Sequence, residues 1–437
     1  MSQTAAQPAP PASSPTTAVA PVGPATSLVT SPATSPAMSG QRDLAEDVPS
    51  LLNRLQVLAV VACLVFGVVS AAIQVVSWHA NGRAADNTEQ VVRVQQIQSL
   101  LLRADAIATN AFLIGGLEPP AARAEYDAAT DDVLRLVADA AEAQPADRKV
   151  LADLNVEVRN YTTAVAQARD YNRQNFPIGI AYLNNAGDSL RSQALPMVQA
   201  LVDANSQRAV DEMEGQHPIW LFWLGVLCLL GLWWVNRQLA KRFHRRFNVG
   251  VSVGAAVLIV LTLLTAVHAF GRSSDNDETR DGPYQSAVDE ASARTAANDA
   301  KAQESQGLIN RGSGAVYEEN WRAAAEVVEE SASPRTLRLW TTYVGLHTRV
   351  RDLDDGGQWD RAVTLATSAA PDGPTATLDE VDVSAEQVVG ESAAEATDGF
   401  RSGGFTSLLL VVLTLLGALV AAAAATWGIN QRRREYS

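Results

Sequence analysis

The chain of 437 residues has only two cysteines, Cys63 and Cys228, and both lie inside long apolar runs. The polar segments have none, so no disulfide framework holds them together. The sequence also lacks a nucleophile elbow, a Walker loop, an HExxH motif and a paired CxxC, and its five histidines are dispersed. These absences give no support to a catalytic or metal site, and no cofactor is expected.

Charged residues are scarce as well, at 19% of the chain, and the formal net charge is −14. An acidic total excludes nucleic acid as an expected partner, because its recognition needs a basic face. The charge is also sorted along the chain. Residues 79–217 carry −7, residues 271–404 carry −13, and the remaining residues together carry +6. A soluble acidic protein has no reason to sort its charge in this way.

Four apolar runs are long enough to cross a bilayer, which takes about 20 residues. Apart from the two cysteines, His268 is the one ionisable side chain inside these runs. Tryptophans lie near both ends of the second run, as in the aromatic belts of membrane helices. We therefore predict membrane helices with cores over 55–76, 219–235, 249–270 and 405–427.

The loop between the second and third runs, NRQLAKRFHRRFN, determines the predicted orientation. Lys and Arg are retained on the cytoplasmic side, so both termini of this cell-membrane protein are predicted to be cytoplasmic and the two acidic segments extracytoplasmic. The loop cations also suit contact with anionic lipid or with an acidic cytoplasmic effector. They are Arg237, Lys241, Arg242, Arg245 and Arg246.

The first 45 residues contain eight prolines amid Ala, Ser and Thr, and such a segment buries too little apolar surface to fold. We predict a disordered cytoplasmic tail there. The predicted domains are the tail (1–50), membrane helices (51–78, 218–236, 249–270 and 405–428), extracytoplasmic bundles (79–217 and 271–404), a basic cytoplasmic loop (237–248) and a basic cytoplasmic tail (429–437).

Both acidic segments are predicted to be helical. In the first, apolar residues from Leu151 to Ala168 recur every three or four positions. Glycine and proline breaks at 115–120, 144–145 and 176–177 divide it into four helices, the last over 187–214, and Pro196 should kink that helix. An up-down-up-down bundle would bury the apolar stripes of these four helices against one another. The fold class is thus an all-α integral membrane protein with four transmembrane helices and two tandem extracytoplasmic four-helix-bundle-like domains.

The second acidic segment repeats the first. YTTAVAQARDYNRQNFPIGIAYL from Tyr161 aligns without a gap with YVGLHTRVRDLDDGGQWDRAVTL from Tyr343. We interpret the chain as a tandem duplication of one membrane-anchored helical sensor. Arg can bind a carboxylate through two hydrogen bonds and a nearby Tyr can add a third, so the aligned residues are candidates for ligand or partner binding. The alternative is that each Arg-Asp pair is a solvated ion pair and each Tyr a core aromatic. They are Tyr161, Arg169 and Asp170, and Tyr343, Arg351 and Asp352.

The membrane runs carry small residues at helix-packing spacing and no carboxylate or arginine. Small residues let membrane helices approach closely, whether the packing is static or shifts during signalling. The lack of intramembrane charge argues against a transporter. The candidate packing residues are Gly250 and Gly254 in the third run and Gly417, Ala421 and Ala425 in the fourth.

With four spans, two tandem external bundles and little cytoplasmic mass, the chain resembles the GlnX-type membrane proteins of actinobacteria. Each half also resembles the four-helix-bundle sensor module of bacterial chemoreceptors, without its HAMP helices and signalling coiled coil. The GlnX resemblance implies that aspartate and glutamate status arrives from a periplasmic solute-binding lipoprotein, GlnH. It also implies a soluble Ser/Thr kinase, PknG, as the cytoplasmic effector.

The expected function is therefore that of a non-catalytic transmembrane signal transducer. The expected partners are membrane lipids, a GlnH-like lipoprotein and a PknG-like kinase, and a homo-oligomer is left open. Two alternatives remain at this point. The chain could be an accessory or structural subunit of a transporter or cell-envelope complex, or a chemoreceptor that binds its small molecule directly.

Overall fold

A computed structural model describes residues 48–115, 118–174, 177–243 and 248–435. Within these ranges all regular structure is helical, which confirms the all-α fold class. Most of the predicted disordered tail lies outside them. The α-helices are α1 (Val48–Ile114), α2 (Pro120–Ala143), α3 (Arg148–Arg173), α4 (Ile178–Ser189), α5 (Leu195–Met213), α6 (Pro218–Phe243), α7 (Val249–Thr279), α8 (Gln285–Ile309), α9 (Gly314–Ser331), α10 (Pro334–Asp355), α11 (Trp359–Ala366), α12 (Pro374–Arg401) and α13 (Gly404–Glu435).

Four helical stretches, which include α1, α6, α7 and α13, are long and apolar enough to cross a membrane. This confirms the predicted number of membrane helices. Apolar side chains on each of them, such as Val68, Leu227, Val267 and Leu416, are more than half exposed, as is expected of side chains that face lipid. α1 has 67 residues, which corresponds to about 100 Å of helix. It therefore extends far beyond a bilayer as one continuous rod.

The first bundle consists of α1, α2, α3 and the α4–α5 helix around one apolar core. All six residues of the predicted α3 stripe are buried. The helices end beside the predicted glycine and proline breaks, but the last one begins at Ile178 and not at residue 187. Gly187 does not break this helix, because Leu183 and Ala186 already continue its buried face towards α3.

A π-helical segment over Leu190–Ala194 directly precedes Leu195 and Pro196 and joins α4 to α5, while the predicted kink at Pro196 stays a prediction. Proline has no amide hydrogen for the carbonyl one turn earlier. A π-helical segment is one way for a helix to accommodate such a lost hydrogen bond. A second π-helical segment, Arg280–Tyr284, joins α7 to α8 and contains Pro283.

The second bundle consists of the α7–α8 helix, α9, α10 and α12. Its core contains Trp321, Trp340 and Tyr343 among small residues. The short helix α11 is an addition to the four-helix plan, since Ala362 and Ala366 pack it against α8 and α10. The second half thus repeats the first in outline but not in detail.

The two bundles lie side by side within one compact unit, which comprises the described residues from 52 onwards. One apolar cluster contains Ala84 and Ala209 from the first bundle together with Tyr284 and Phe400 from the second. Polar contacts also join the bundles. They include an amide pair between Asn184 and Asn310 at 2.7 Å and an ion pair between Arg401 and Asp86 at 2.8 Å.

α7 and α13 contact each other closely at small residues. A Cβ added at Gly250 would lie 2.3 Å from the carbonyl oxygen of Ala424, and one at Gly254 would lie 3.0 Å from that of Ala421. Glycine is therefore needed where these backbones meet. The remaining small residues named from the sequence are on α13, where Gly417 faces Leu261 and Ala425 is fully buried.

Candidate functional site

Each bundle has a cavity near the end that lies farthest from its membrane helices. The first, which we call the Arg169 cavity, has a volume of about 410 Å³ and lies between α1, α2 and α3. The second, the Arg351 cavity, is a more open space of about 900 Å³ between α8, α9, α10 and α11. The structure thus places the two aligned Arg-Asp pairs at corresponding ends of the two bundles.

Arg169 is the most buried cation of the Arg169 cavity. Its Nη2 donates a 2.8 Å hydrogen bond to Oε1 of Glu118, and its guanidinium lies 4.0 Å from the ring centroid of Tyr126. The side chains of Arg169 and Glu118 are only 12% and 17% exposed. Partial burial and a cation–π contact make this ion pair stronger than one in free solution.

The other charged groups of this cavity lie at its rim. Asp170 does not pair with its neighbour Arg169 but accepts a hydrogen bond from Arg173, and both partners are more than half exposed. Arg123 pairs with Asp127 at 2.9 Å, again with both side chains half exposed. Such exposed pairs contribute little to stability, so their guanidinium groups can turn towards another partner at small cost.

Tyr161 does not line the Arg169 cavity, because its side chain is almost fully buried in the core. Its hydroxyl donates to Oδ1 of Asp105 at 3.3 Å. Oδ2 of Asp105 accepts a 2.8 Å hydrogen bond from Arg191, whose second nitrogen donates to Asp299 on α8 at 2.8 Å. Arg191 lies in the first π-helical segment, so this segment carries a charged bridge between the two bundles.

Sequence reasoning missed this bridge, although one signal was available. Asp105 interrupts the apolar face of α1 directly after Ala104, and a carboxylate at such a position needs a buried partner. The partner residues lie 86 positions away, at Arg191, and beyond it at Asp299. Spacing along one helix does not reveal contacts of this kind.

Arg351 occupies the matching place in the second bundle and contacts three carboxylates. The nearest atoms are those of Asp355 at 2.6 Å, Asp354 at 2.9 Å and Glu318 at 3.5 Å. Asp352 is exposed at the rim, where it lines the cavity. Tyr343 is buried against Trp340 and, like Tyr161, lies in the core and outside the cavity lining.

A buried chain of charged groups that the sequence did not reveal leads from the Arg351 cavity into the second bundle. His347 shares hydrogen bonds with Glu304 through Nδ1 at 2.7 Å and with Glu318 through Nε2 at 3.2 Å. Lys301 donates to Glu304 at 2.6 Å and to the carbonyl of Ala366 at 2.7 Å. These contacts tie α8, α9, α10 and α11 together.

The protonation of this chain is set by competing effects. Burial by itself lowers the pKa of His347, but its hydrogen bonds to Glu304 and Glu318 outweigh burial and raise the pKa above the ordinary value of 6.5. Burial raises the pKa of Glu304, whereas Lys301 and His347 outweigh that effect and bring it down to about 2. The Trp321 ring stacks on the His347 ring at a centroid distance of 3.7 Å.

A second charged network joins the bundles along α1 and α12. Arg103 of the first bundle contacts Asp379 at 3.0 Å and Asp382 at 3.7 Å. Arg294 of α8 holds Asp382 through two hydrogen bonds of 2.9 and 2.8 Å. Burial by itself raises the pKa of Asp382, but the hydrogen bonds and charge of Arg294 outweigh it and lower that pKa. The carboxylate therefore stays ionised between the bundles.

The basic loop residues are only partly within the described ranges. The guanidinium of Arg237 lies 5.2 Å from the ring centroid of Trp233, and Lys241 is exposed. Arg242 belongs to α6, whereas Arg245 and Arg246 lie outside the described residues. Trp is enriched at membrane–water interfaces and Arg in cytoplasmic loops, and the predicted lipid and effector contacts stay predictions.

Among the described residues, no group of three or more His, Cys, Asp and Glu side chains is arranged to hold a metal ion. Residues 80–214 match the family model described as the actinobacterial sensor domain. This range covers the first bundle and contains the Arg169 cavity. Comparison with curated proteins and with solved structures gives no match. The sensor-domain match and the four apolar helices fit an actinobacterial membrane sensor.

Proposed function

We propose that the protein is a non-catalytic transmembrane signal transducer that senses extracytoplasmic amino-acid status and relays it to a cytoplasmic effector. One observation carries this proposal. α1 is a single helix whose membrane span and whose cavity-lining residues, Ala108, Ala111 and Phe112, belong to the same rod. The sensor-domain match over 80–214 and the four membrane helices support the same role.

The rod supplies a route for the signal. Ala108 lies about 45 Å along the helix from the predicted end of the first span at residue 78. We assume two arrangements of α1, α2 and α3. A stimulus that binds one arrangement more tightly shifts the protein towards that arrangement. Because α1 is continuous, a tilt or translation at the cavity also moves its membrane span. The α7–α8 helix supplies a second such rod, since it reaches the Arg351 cavity at Gly307.

The expected carrier of the stimulus is a solute-binding lipoprotein of the GlnH type, loaded with aspartate or glutamate. The acidic surfaces of the two bundles suit a protein partner, since each bundle has an excess of carboxylates. The expected effector is a soluble Ser/Thr kinase of the PknG type that meets the basic loop at 237–248. In this proposal both termini are cytoplasmic and both bundles are outside.

Two substitutions at Gly82 test transmission through α1. An added Cβ at this position meets nothing within 4 Å, so a side chain causes no steric clash. Gly82→Pro removes one helix hydrogen bond and crowds the preceding turn, at a cost of about 3 kcal/mol to the helix. Gly82→Ala is the matched control, because alanine favours the helix by about 1 kcal/mol over glycine.

The measurement is phosphorylation of the kinase's substrates in intact cells as external glutamate is varied. We expect the wild type and Gly82→Ala to respond and Gly82→Pro to lose the response while keeping its membrane insertion. A normal response in Gly82→Pro would rule out transmission through a continuous α1. A wild type that does not respond to any external amino acid would rule out amino-acid sensing itself.

A further inference from the structure

We infer that the Arg169 cavity binds one free α-amino acid in its zwitterionic form. The inference rests on the proposed function, because it names the ligand of the cavity from which α1 leads to the membrane. Its volume of about 410 Å³ lies within the range of small-molecule sites, about 300–1,000 Å³. Small apolar residues, Ala108, Ala111 and Ala166, leave this space open between the helices.

The ion pair between Arg169 and Glu118 favours a zwitterion over a simple anion. Both side chains are largely buried, at 12% and 17% exposure. A simple anion that bound Arg169 would displace Glu118 and leave this carboxylate without a partner, which is costly in a partly buried site. A zwitterion can enter the pair, because its carboxylate takes Arg169 and its ammonium takes Glu118. Each charge then keeps a partner.

The rest of the cavity selects the ligand's side chain by charge. Its lining carries the guanidinium groups of Arg123, Arg169 and Arg173 against the carboxylates of Glu118 and Asp170, an excess of one positive charge. The pairs formed by Arg123 and Arg173 are exposed and weak. Either group can turn to a second carboxylate of the ligand. Acidic and neutral amino acids are therefore favoured over basic ones.

The Arg351 cavity does not share this chemistry. Arg351 is already held by Glu318, Asp354 and Asp355. Together with Asp352, these carboxylates outnumber the three guanidinium groups of that lining by one. Even with His347 protonated this lining has no excess of positive charge, so an amino-acid carboxylate would have to displace the acids that already hold Arg351. The two halves of the duplication have thus diverged at matching positions, and we assign the amino acid to the first half only.

The test uses the purified full chain in lipid nanodiscs and calorimetric titration. We expect one glutamate or one alanine to bind per chain, lysine to bind more weakly, and succinate to bind at least about tenfold more weakly than glutamate, because it lacks the ammonium that Glu118 would hold. Arg169→Gln should weaken glutamate binding about 10- to 100-fold, the effect of losing a charge-assisted hydrogen bond in a desolvated site.

Two further variants keep the test decisive if Arg169→Gln alters the fold. The double variant Arg123→Gln with Arg173→Gln, which removes both guanidinium groups of the exposed rim, should weaken glutamate but not alanine. Arg159→Gln is the matched control, because this arginine lies on the same helix with an exposed side chain and outside the cavity lining. The unfolding midpoint of each variant is measured alongside binding. Equal weakening of glutamate by Arg159→Gln and Arg169→Gln would overturn the assignment of the site.

Succinate that binds as tightly as glutamate would overturn the inference that the ligand binds as a zwitterion. No binding of any amino acid by the full chain, together with a normal glutamate response in cells, would overturn this inference and leave the proposed function in place, since the stimulus then arrives on a carrier protein. Binding in nanodiscs without a response in cells would support the site and contradict the proposed function. A glutamate response that persists in cells without the lipoprotein would come from the free amino acid, and a response that is lost there would come from an amino acid delivered by the lipoprotein.

Discussion

The charged bridge from Asp105 through Arg191 to Asp299 should be the contact most sensitive to substitution between the two bundles. The Asp105 side chain is fully buried, whereas Arg191 is 26% and Asp299 is 29% exposed. The inner half of the bridge (Asp105 to Arg191) and the outer half (Arg191 to Asp299) have equal lengths of 2.8 Å but different access to solvent. Burial, and not distance, should therefore decide what each half contributes.

The substitution Arg191→Met keeps the length of the side chain and removes its charge. Asp105 then retains the Tyr161 hydroxyl at 3.3 Å as its hydrogen-bond donor among the described side chains. Breaking a buried ion pair by removing one partner costs about 3–5 kcal/mol. Asp299→Asn breaks the outer half only, and because both of its partners are partly open to solvent this half should contribute less, close to the ~0–1 kcal/mol of an exposed pair. We expect Arg191→Met to be the more destabilising variant by at least about 2 kcal/mol.

The assay is urea unfolding of the full chain in detergent micelles, followed by tryptophan fluorescence. Trp321 and Trp340 are buried in the second bundle, so their emission reports on its unfolding. Asp299→Asn is the matched variant, because it removes one charge from the same bridge. Equal losses for the two substitutions, or a loss below about 1 kcal/mol for Arg191→Met, would refute the assignment of stability to burial.

Two further predictions concern pH and the membrane helices. Protonated His347 should stabilise the fold fully below pH 6.5, and this contribution should be lost as the pH rises through its raised pKa. Ionised Glu304 should stabilise the fold fully above pH 4.5, and this contribution should be lost as the pH falls towards 2. Stability measured by thermal unfolding should therefore be greatest between pH 4.5 and pH 6.5. His347→Gln should abolish the decline in stability above pH 6.5, and a decline that persists in this variant would exclude His347 as its cause. Gly250→Ala should cost about 1–3 kcal/mol in SDS-induced unfolding, because its Cβ would lie 2.3 Å from a carbonyl oxygen of α13. Gly231→Ala is the control; its nearest atom is 3.9 Å away, so it should be neutral or slightly stabilising. Equal effects of the two substitutions would contradict close packing at Gly250.

Local features of the fold could be predicted from the sequence, because their causes are local. Clusters of proline and glycine favour the ends of helices, and α1 and α2 end beside Gly115 and Pro145, whereas the isolated Gly187 and Pro196 lie within helices. The apolar stripe of α3 is buried at every predicted position, since a helix turns at a fixed angle per residue. The extra helix α11 shows the limit of the repeat, because a matching sequence segment does not require a matching number of helices.

Charge pairing was the part that sequence reasoning could not supply. Adjacent residues on a helix point in directions about 100° apart, which disfavours a contact between Arg169 and Asp170. Arg169 instead finds Glu118, which lies 51 positions earlier, and Arg351 finds acids three and four positions later. The recurrence of the Arg-Asp pair therefore led to the two cavities, although the pair itself does not form. The acids that hold Arg351 are at the spacing of one helix turn and could be read from α10 alone, whereas the partner of Arg169 depends on how helices pack together, which no single-helix pattern encodes.

The geometry of α1 connects the Arg169 cavity to the contact between the bundles. Ala108, in the cavity wall, lies three residues after Asp105, so the two side chains are neighbours on one helix face. A ligand that displaces this turn of α1 must also displace Asp105 from Arg191, or carry Arg191 and the π-helical segment with it. Either movement changes the contact of Arg191 with Asp299 on α8, whose helix continues through α7 into the third membrane span. Occupancy of one cavity can therefore move membrane helices of both halves, and the second bundle need not bind a ligand to take part in the signal.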